Sequence, residues 1–203
     1  KEHVKLHRKN PRLIVDGPAI NITGEKNLLN PPFESFFVRM LAFLDFGGAT
    51  FITANTSCLV ENLIKAGGFD EEFGKGYGWQ DREFGRRLLR AGLKRVKNRR
   101  AYALHYKGNG KEEDMHFLFQ KYRERGENAI LYYSKHPSKK TKREIHLNYL
   151  KYSNFFTKIG LDRKTSSPFI HKKPLFFLFK KVFFIHAYAE GLKKGVQKYK
   201  VEI

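Results

Sequence analysis

Apolar positions change period several times along the chain, and each change marks an expected element. Arg12 to Ile22 (RLIVDGPAINI) is a β-branched run interrupted by Gly17-Pro18, which predicts a strand leading into a bend. Glu25 to Leu44 is a longer excursion in which Pro31-Pro32 precede a block of aromatics, and one helix is expected after Pro32. Ala49 to Ala54 (ATFITA) is the strongest strand candidate. Asn55-Thr56-Ser57, next in line, are helix N-cap residue types. Leu59, Val60, Leu63 and Ile64 then recur at helical spacing until Gly67-Gly68 stop the helix.

Phe69 to Trp79 (FDEEFGKGYGW) is a glycine-rich loop with three carboxylates. A second helix starts near Asp81, with Phe84, Leu88, Leu89 and Ala91 as its apolar stripe. Arg82, Arg86, Arg87 and Arg90 make its wet face and Gly92 its C-cap. Lys94 to Tyr106 ends in a buried strand near Ala101–His105. Strands alternating with helices predict an α/β layer structure. Lys111 to Ser134 reads as a further helix that His136-Pro137 terminates, and residues 138–173 have weak periodicity. From Pro174 the chain reads LFFLFKKVFFIHAYAEGLKKG. As a helix, residues 174–189 would extend about 24 Å, short of the roughly 30 Å hydrocarbon core of a bilayer. Two readings stand for this segment: a helix lying in a membrane interface, or a helix packed on the rest of the protein.

Charge sharpens that division. The 203 residues carry 40 Lys/Arg and 20 Asp/Glu, a net of +20. Residues 135–203 alone hold 17 cations and 4 anions, a net of +13. An anionic partner is therefore expected. An anionic membrane surface engaging residues 172–200 is the favoured one. Nucleic acid is set aside, because no zinc finger, RNP pattern or helix-turn-helix is present. The single cysteine, Cys58, excludes an internal disulfide framework and points to a reducing, cytoplasmic setting.

Chemistry concentrates at Trp79-Gln80-Asp81-Arg82-Glu83. A helix N-terminus favours negative charge, so Asp81 is placed to accept a proton from a substrate hydroxyl. The competing role for Asp81 is an N-cap. Trp79, between glycine-flanked turns, offers a face for stacking on a sugar ring or a core anchor. His105 closes a strand and is either a metal ligand or a hydrogen-bonded histidine. The other seven histidines are read as showing no metal-type spacing and are given no role.

These blocks fall in an ordered series: Asn55-Thr56-Ser57, Gly67-Gly68-Phe69-Asp70-Glu71-Glu72-Phe73, Gly76-Tyr77-Gly78-Trp79-Gln80-Asp81-Arg82-Glu83, then Gly92 and His105. The series resembles the C-terminal half of a GT-A glycosyltransferase, of the family-2 type and of the β-1,4-galactosyltransferase C-terminal domain. The resemblance covers roughly residues 45–108. It implies an α/β fold that is the acceptor-side part of a GT-A domain over residues 1–110, followed by a helical, basic, aromatic extension over 111–203. It implies transfer of a sugar from a nucleotide-diphosphate donor to a saccharide or lipid-linked acceptor, with inversion and Asp81 as general base. Trp79, Gln80, Glu83, Gly68 and Asn55 are its implied substrate-binding positions, and Gln80 replaces the family's usual Glu. His105 matches a ligand of the divalent cofactor, Mn²⁺ or Mg²⁺, that neutralises the diphosphate. The family's D-x-D motif occurs nowhere in these residues, so the nucleotide-binding half is expected upstream of a fragment. The protein is expected at the cytoplasmic membrane face. The alternative function is a non-catalytic basic adaptor for membrane or polyanion.

Overall fold

The protein is described from a computed structural model covering residues 1–33, 35–44, 51–107, 115–152 and 173–203. Two compact units divide the chain: Lys1–Asp70 with Gln80–Glu112, and Glu71–Trp79 with Glu113–Ile203.

The first unit begins with α1 (Glu2–Lys9), β1 (Leu13–Asp16) and β2 (Ala19–Ile22). Then come α2 (Glu25–Leu29), α3 (Phe36–Leu44), β3 (Thr56–Ser57) and α4 (Val60–Lys65). It closes with α5 (Gln80–Arg90), β4 (Lys94–Lys97) and β5 (Ala103–Tyr106). β1 is central in a three-stranded sheet, parallel to β4 and antiparallel to β3. β2 pairs in parallel with β5, Ala19 against Ala103 through Ile22 against Tyr106. The two parallel pairs are broken at the same level, by Gly17-Pro18 on one side and residues 98–102 on the other. Gly17 is required there: a Cβ would lie well under 3 Å from the Ala101 carbonyl oxygen and the Asn55 amide. One core forms where Ile14 meets Phe51, Phe84, Leu88 and Leu93, and a second where Val38 and Ala42 of α3 meet Ile20.

The helices over 60–65 and 80–90 fall where hydrophobic spacing puts them, and α3 is the helix expected after Pro32. Gly67 and Gly68 end α4 with φ of +79° and +67°, their amides bonding the carbonyls of Ile64 and Leu63. Gly92 ends α5 at φ +84°. The strand expected at Ala49–Ala54 is different. Residues 49 and 50 lie outside the described residues, and Phe51 to Ala54 are not strand. Phe51 has a φ of +63°, which extended pairing does not permit, and its ring packs edge-on to Phe84 with centroids 4.9 Å apart. The strand forms at Thr56–Ser57 instead. Those side chains therefore do not cap α4, whose N-cap is Leu59 with no side-chain hydrogen bond. Thr56 Oγ1 is engaged by Asp16 Oδ1 and the Ile52 carbonyl.

The second unit is built on α6 (Met115–Lys135), α7 (Lys139–Glu144) and α8 (Lys173–Tyr199). α6 and α8 form its main helix pair. Gly126, Gly191 and Gly195 let their backbones approach so closely that a Cβ at any of them would meet the facing helix under 3 Å. Ile130, Tyr132, Ile145, Tyr188 and Leu192 form the core together with Phe73 from the 3₁₀ turn Glu71–Lys75. Within α8, Phe183 is fully buried and Phe184 stacks on Tyr122 at 4.2 Å. That end of the aromatic run is thus a packing element. No helix among the described residues is long and apolar enough to cross a membrane.

Candidate functional site

Asp81 is the second residue of α5, inside the first turn rather than ahead of it. It therefore shares the electropositive end of the helix without being its N-cap. Its carboxylate is half-buried and receives a hydrogen bond from Thr53 Oγ1 at 3.4 Å. Burial raises its pKa above the ordinary aspartate value, and the Thr53 hydrogen bonds only partly oppose that. Beside it, the buried Oε1 of Gln80 has no hydrogen-bond partner among the described residues. A buried amide oxygen without a donor costs about 1–3 kcal/mol.

Glu83 is 2% exposed and holds the Arg87 guanidinium with two oxygens, Nε at 2.8 and 3.0 Å and Nη2 at 2.9 Å. Arg87 in turn donates to the carbonyls of Ala66 and Gly68, the latter at 2.6 Å. This bidentate pair ties α5 to the end of α4. The expected acceptor-side position Glu83 and the Gly68 turn are joined through it, and Arg87 leaves the wet face assigned to it.

Asn55 is likewise committed within the fold. Its amide donates to the carbonyls of Pro18 at 2.9 Å and Ala101 at 2.6 Å, which fixes its Oδ1 as an acceptor facing His3 Nε2 at 3.0 Å. His3 Nδ1 is hydrogen-bonded to the Ser57 hydroxyl, 2.8 Å away. His7 Nε2 is hydrogen-bonded to Ser57 Oγ at 2.7 Å, and its Nδ1 is buried with no partner among the described residues. Burial, and next the nearby His3, push the His7 pKa down. The expectation of no metal-type spacing among these histidines is wrong: His3 and His7 stand at i, i+4 and meet at Ser57. The signal for this cluster is that spacing, which puts both rings on one helix face.

His105 is exposed on β5 and pairs with Asn21 of β2, Nδ1 to Oδ1 at 3.0 Å. That bond leaves the Nε2 lone pair for a ligand. Among the described residues no three His, Cys, Asp or Glu side chains gather to hold a metal ion, so His105 fits such an ion as one contributor and not as a complete site. Trp79 belongs to the second unit. Its φ is +76°, its indole stacks on Tyr132 at 5.1 Å and its Nε1 donates to the Arg125 carbonyl at 3.0 Å.

These residues belong to a mixed α/β unit in which burial raises the pKa of a carboxylate at a helix start. Residues 39–109 match a family model described as the N-terminal domain of galactosyltransferase. The matched segment contains the blocks from Asn55 to His105 and supports a glycosyltransferase in general. No curated protein matches the chain.

Proposed function

We propose that the protein transfers a glycosyl group from a nucleotide-diphosphate sugar to a hydroxyl of a saccharide or lipid-linked acceptor, with inversion. The observation that carries this reading is Asp81, half-buried in the first turn of α5 with a raised pKa, within the galactosyltransferase-like segment. In the reaction, Asp81 takes the acceptor hydroxyl proton while that oxygen bonds the anomeric carbon and the bond to the diphosphate breaks. A carboxylate with heightened proton affinity is a better base for this than a solvated one, and the helix end keeps it ionised until the acceptor arrives. Gln80, next to Asp81 at the start of α5, is the proposed acceptor contact. Mn²⁺ or Mg²⁺, when bound, neutralises charge on the departing diphosphate. His105 would be one ligand to such an ion. Cations of residues 172–200 would hold the protein at an anionic membrane face, where a lipid-linked acceptor resides.

The test is Asp81→Asn in the intact enzyme, assayed with a panel of nucleotide-diphosphate sugars and either metal. Turnover falls roughly 10²–10⁴-fold with an unchanged melting temperature. Turnover near that of the unsubstituted enzyme removes Asp81 from the mechanism. Absence of turnover in the unsubstituted protein with every donor favours the adaptor reading.

A further inference from the structure

We infer that α3 is a membrane-docking element that seats its aromatic face in an anionic phospholipid surface. Eight of its nine residues are apolar (FFVRMLAFL), a composition that belongs to a helix covered on all sides. Only one side is covered. Val38 and Ala42 are buried against Ile20, whereas Phe36 is 82% and Phe43 63% exposed. Phe36, Met40 and Phe43 follow at i, i+4 and i+7 and so form one stripe, flanked by the exposed Phe37 and Leu44. Contiguous exposed apolar surface of this kind marks an interaction site.

Charge beside the stripe selects the occupant. A cavity of about 460 Å³ opens along α3, and its lining includes Arg39, Arg99, Arg100, Phe43 and Tyr102, with Glu2 as the carboxylate in it. The Arg99 guanidinium lies 4.9 Å over the Phe43 ring. Aromatic side chains next to a cluster of guanidinium groups match the two layers of a bilayer interface, acyl chains below and phosphates above. A second copy of the chain matches less well. Pairing α3 with α3 would bring two such arginine clusters together on molecules that each carry +20. This goes beyond the transfer reaction and is measured without donor or acceptor.

The experiment is flotation of the 203-residue chain with vesicles of phosphatidylglycerol and phosphatidylcholine, and with phosphatidylcholine alone, at low and high salt. Binding is expected to the anionic vesicles, weakened but not abolished by salt. Phe36→Ser with Phe43→Ser should lower the affinity by about tenfold or more at unchanged melting temperature, since both side chains are exposed. The tail cations are intact in that variant, so the loss belongs to α3. Phe36→Trp gives an independent readout: blue-shifted emission and quenching by brominated lipid. The inference is overturned if the double variant binds vesicles as the parent does or if the new Trp is unquenched. It is equally overturned if the parent stays unbound, or if sedimentation shows a dimer that the double variant dissolves.

Discussion

Substitution of Glu83 by Ala separates a role in binding acceptor from a role in holding α5. The carboxylate is 2% exposed and takes three hydrogen-bond contacts from Arg87. Its removal leaves a guanidinium whose side chain is only 26% exposed and which keeps its hydrogen bonds to the Ala66 and Gly68 carbonyls. Breaking one half of a fully buried pair costs about 3–5 kcal/mol. Water can reach part of Arg87, so the loss here should be about 2–4 kcal/mol. For a chain of this length each kcal/mol corresponds to about 2–4 °C. A fall of roughly 5–15 °C in melting temperature follows, measured by calorimetry, with Glu83→Gln in between because it keeps a hydrogen-bond acceptor. The reasoning is refuted if Glu83→Ala melts within about 1 °C of the parent while acceptor KM rises. That outcome would make Glu83 a substrate contact and the ion pair incidental.

Other consequences are as specific. Because Asp81 has a raised pKa, the acid limb of the kcat profile should lie above the ordinary aspartate range and vanish in Asp81→Asn. His105→Ala should weaken metal-dependent donor binding in titration calorimetry without moving the melting temperature, since the ring is exposed; unchanged affinity would assign His105 to its bond with Asn21 alone. The lowered His7 pKa means that the folded state takes up its proton later than the unfolded chain. Stability from His7 is thus complete above about pH 6.5 and declines as pH falls below it; His7→Gln should flatten that part of a pH-stability curve. Gly191→Ala should destabilise the α6–α8 pair by about 1–3 kcal/mol, what overpacking typically costs, and a neutral result would mean that the helices can part.

What the sequence makes legible depends on whether local spacing or distant partners set the structure. α5 is legible because Phe84 and Leu88 repeat at helical period and Gly92 allows the left-handed stop. The β1–β4 and β2–β5 pairings are not, because parallel register is fixed by residues some eighty positions apart. Thr56 and Ser57 look like caps since their hydroxyls suit that role. Only the folded chain shows those hydroxyls engaged by Asp16, His3 and His7. Glu83 and Arg87 stand at i, i+4, a spacing that already announces an ion pair, yet nothing local says that it is buried. Trp79 in sequence adjoins Asp81, and its stack on Tyr132, over fifty positions away, is invisible until the chain folds.

The chain leaves its first unit at Asp70, contributes nine residues to the second, and returns at Gln80. Phe73 is fully buried in the second unit's core and Asn128 donates to the carbonyls of Phe73 and Gly78. The segment that leads directly into Asp81 is thus folded by the helices after residue 112. A shortened gene ending there would remove no dispensable appendage, for it would strip the motif loop of its scaffold. Mutational drift in α6 and α8 is constrained by the same loop, so the two halves of the gene are expected to evolve as a linked pair and not to be exchanged as separate modules.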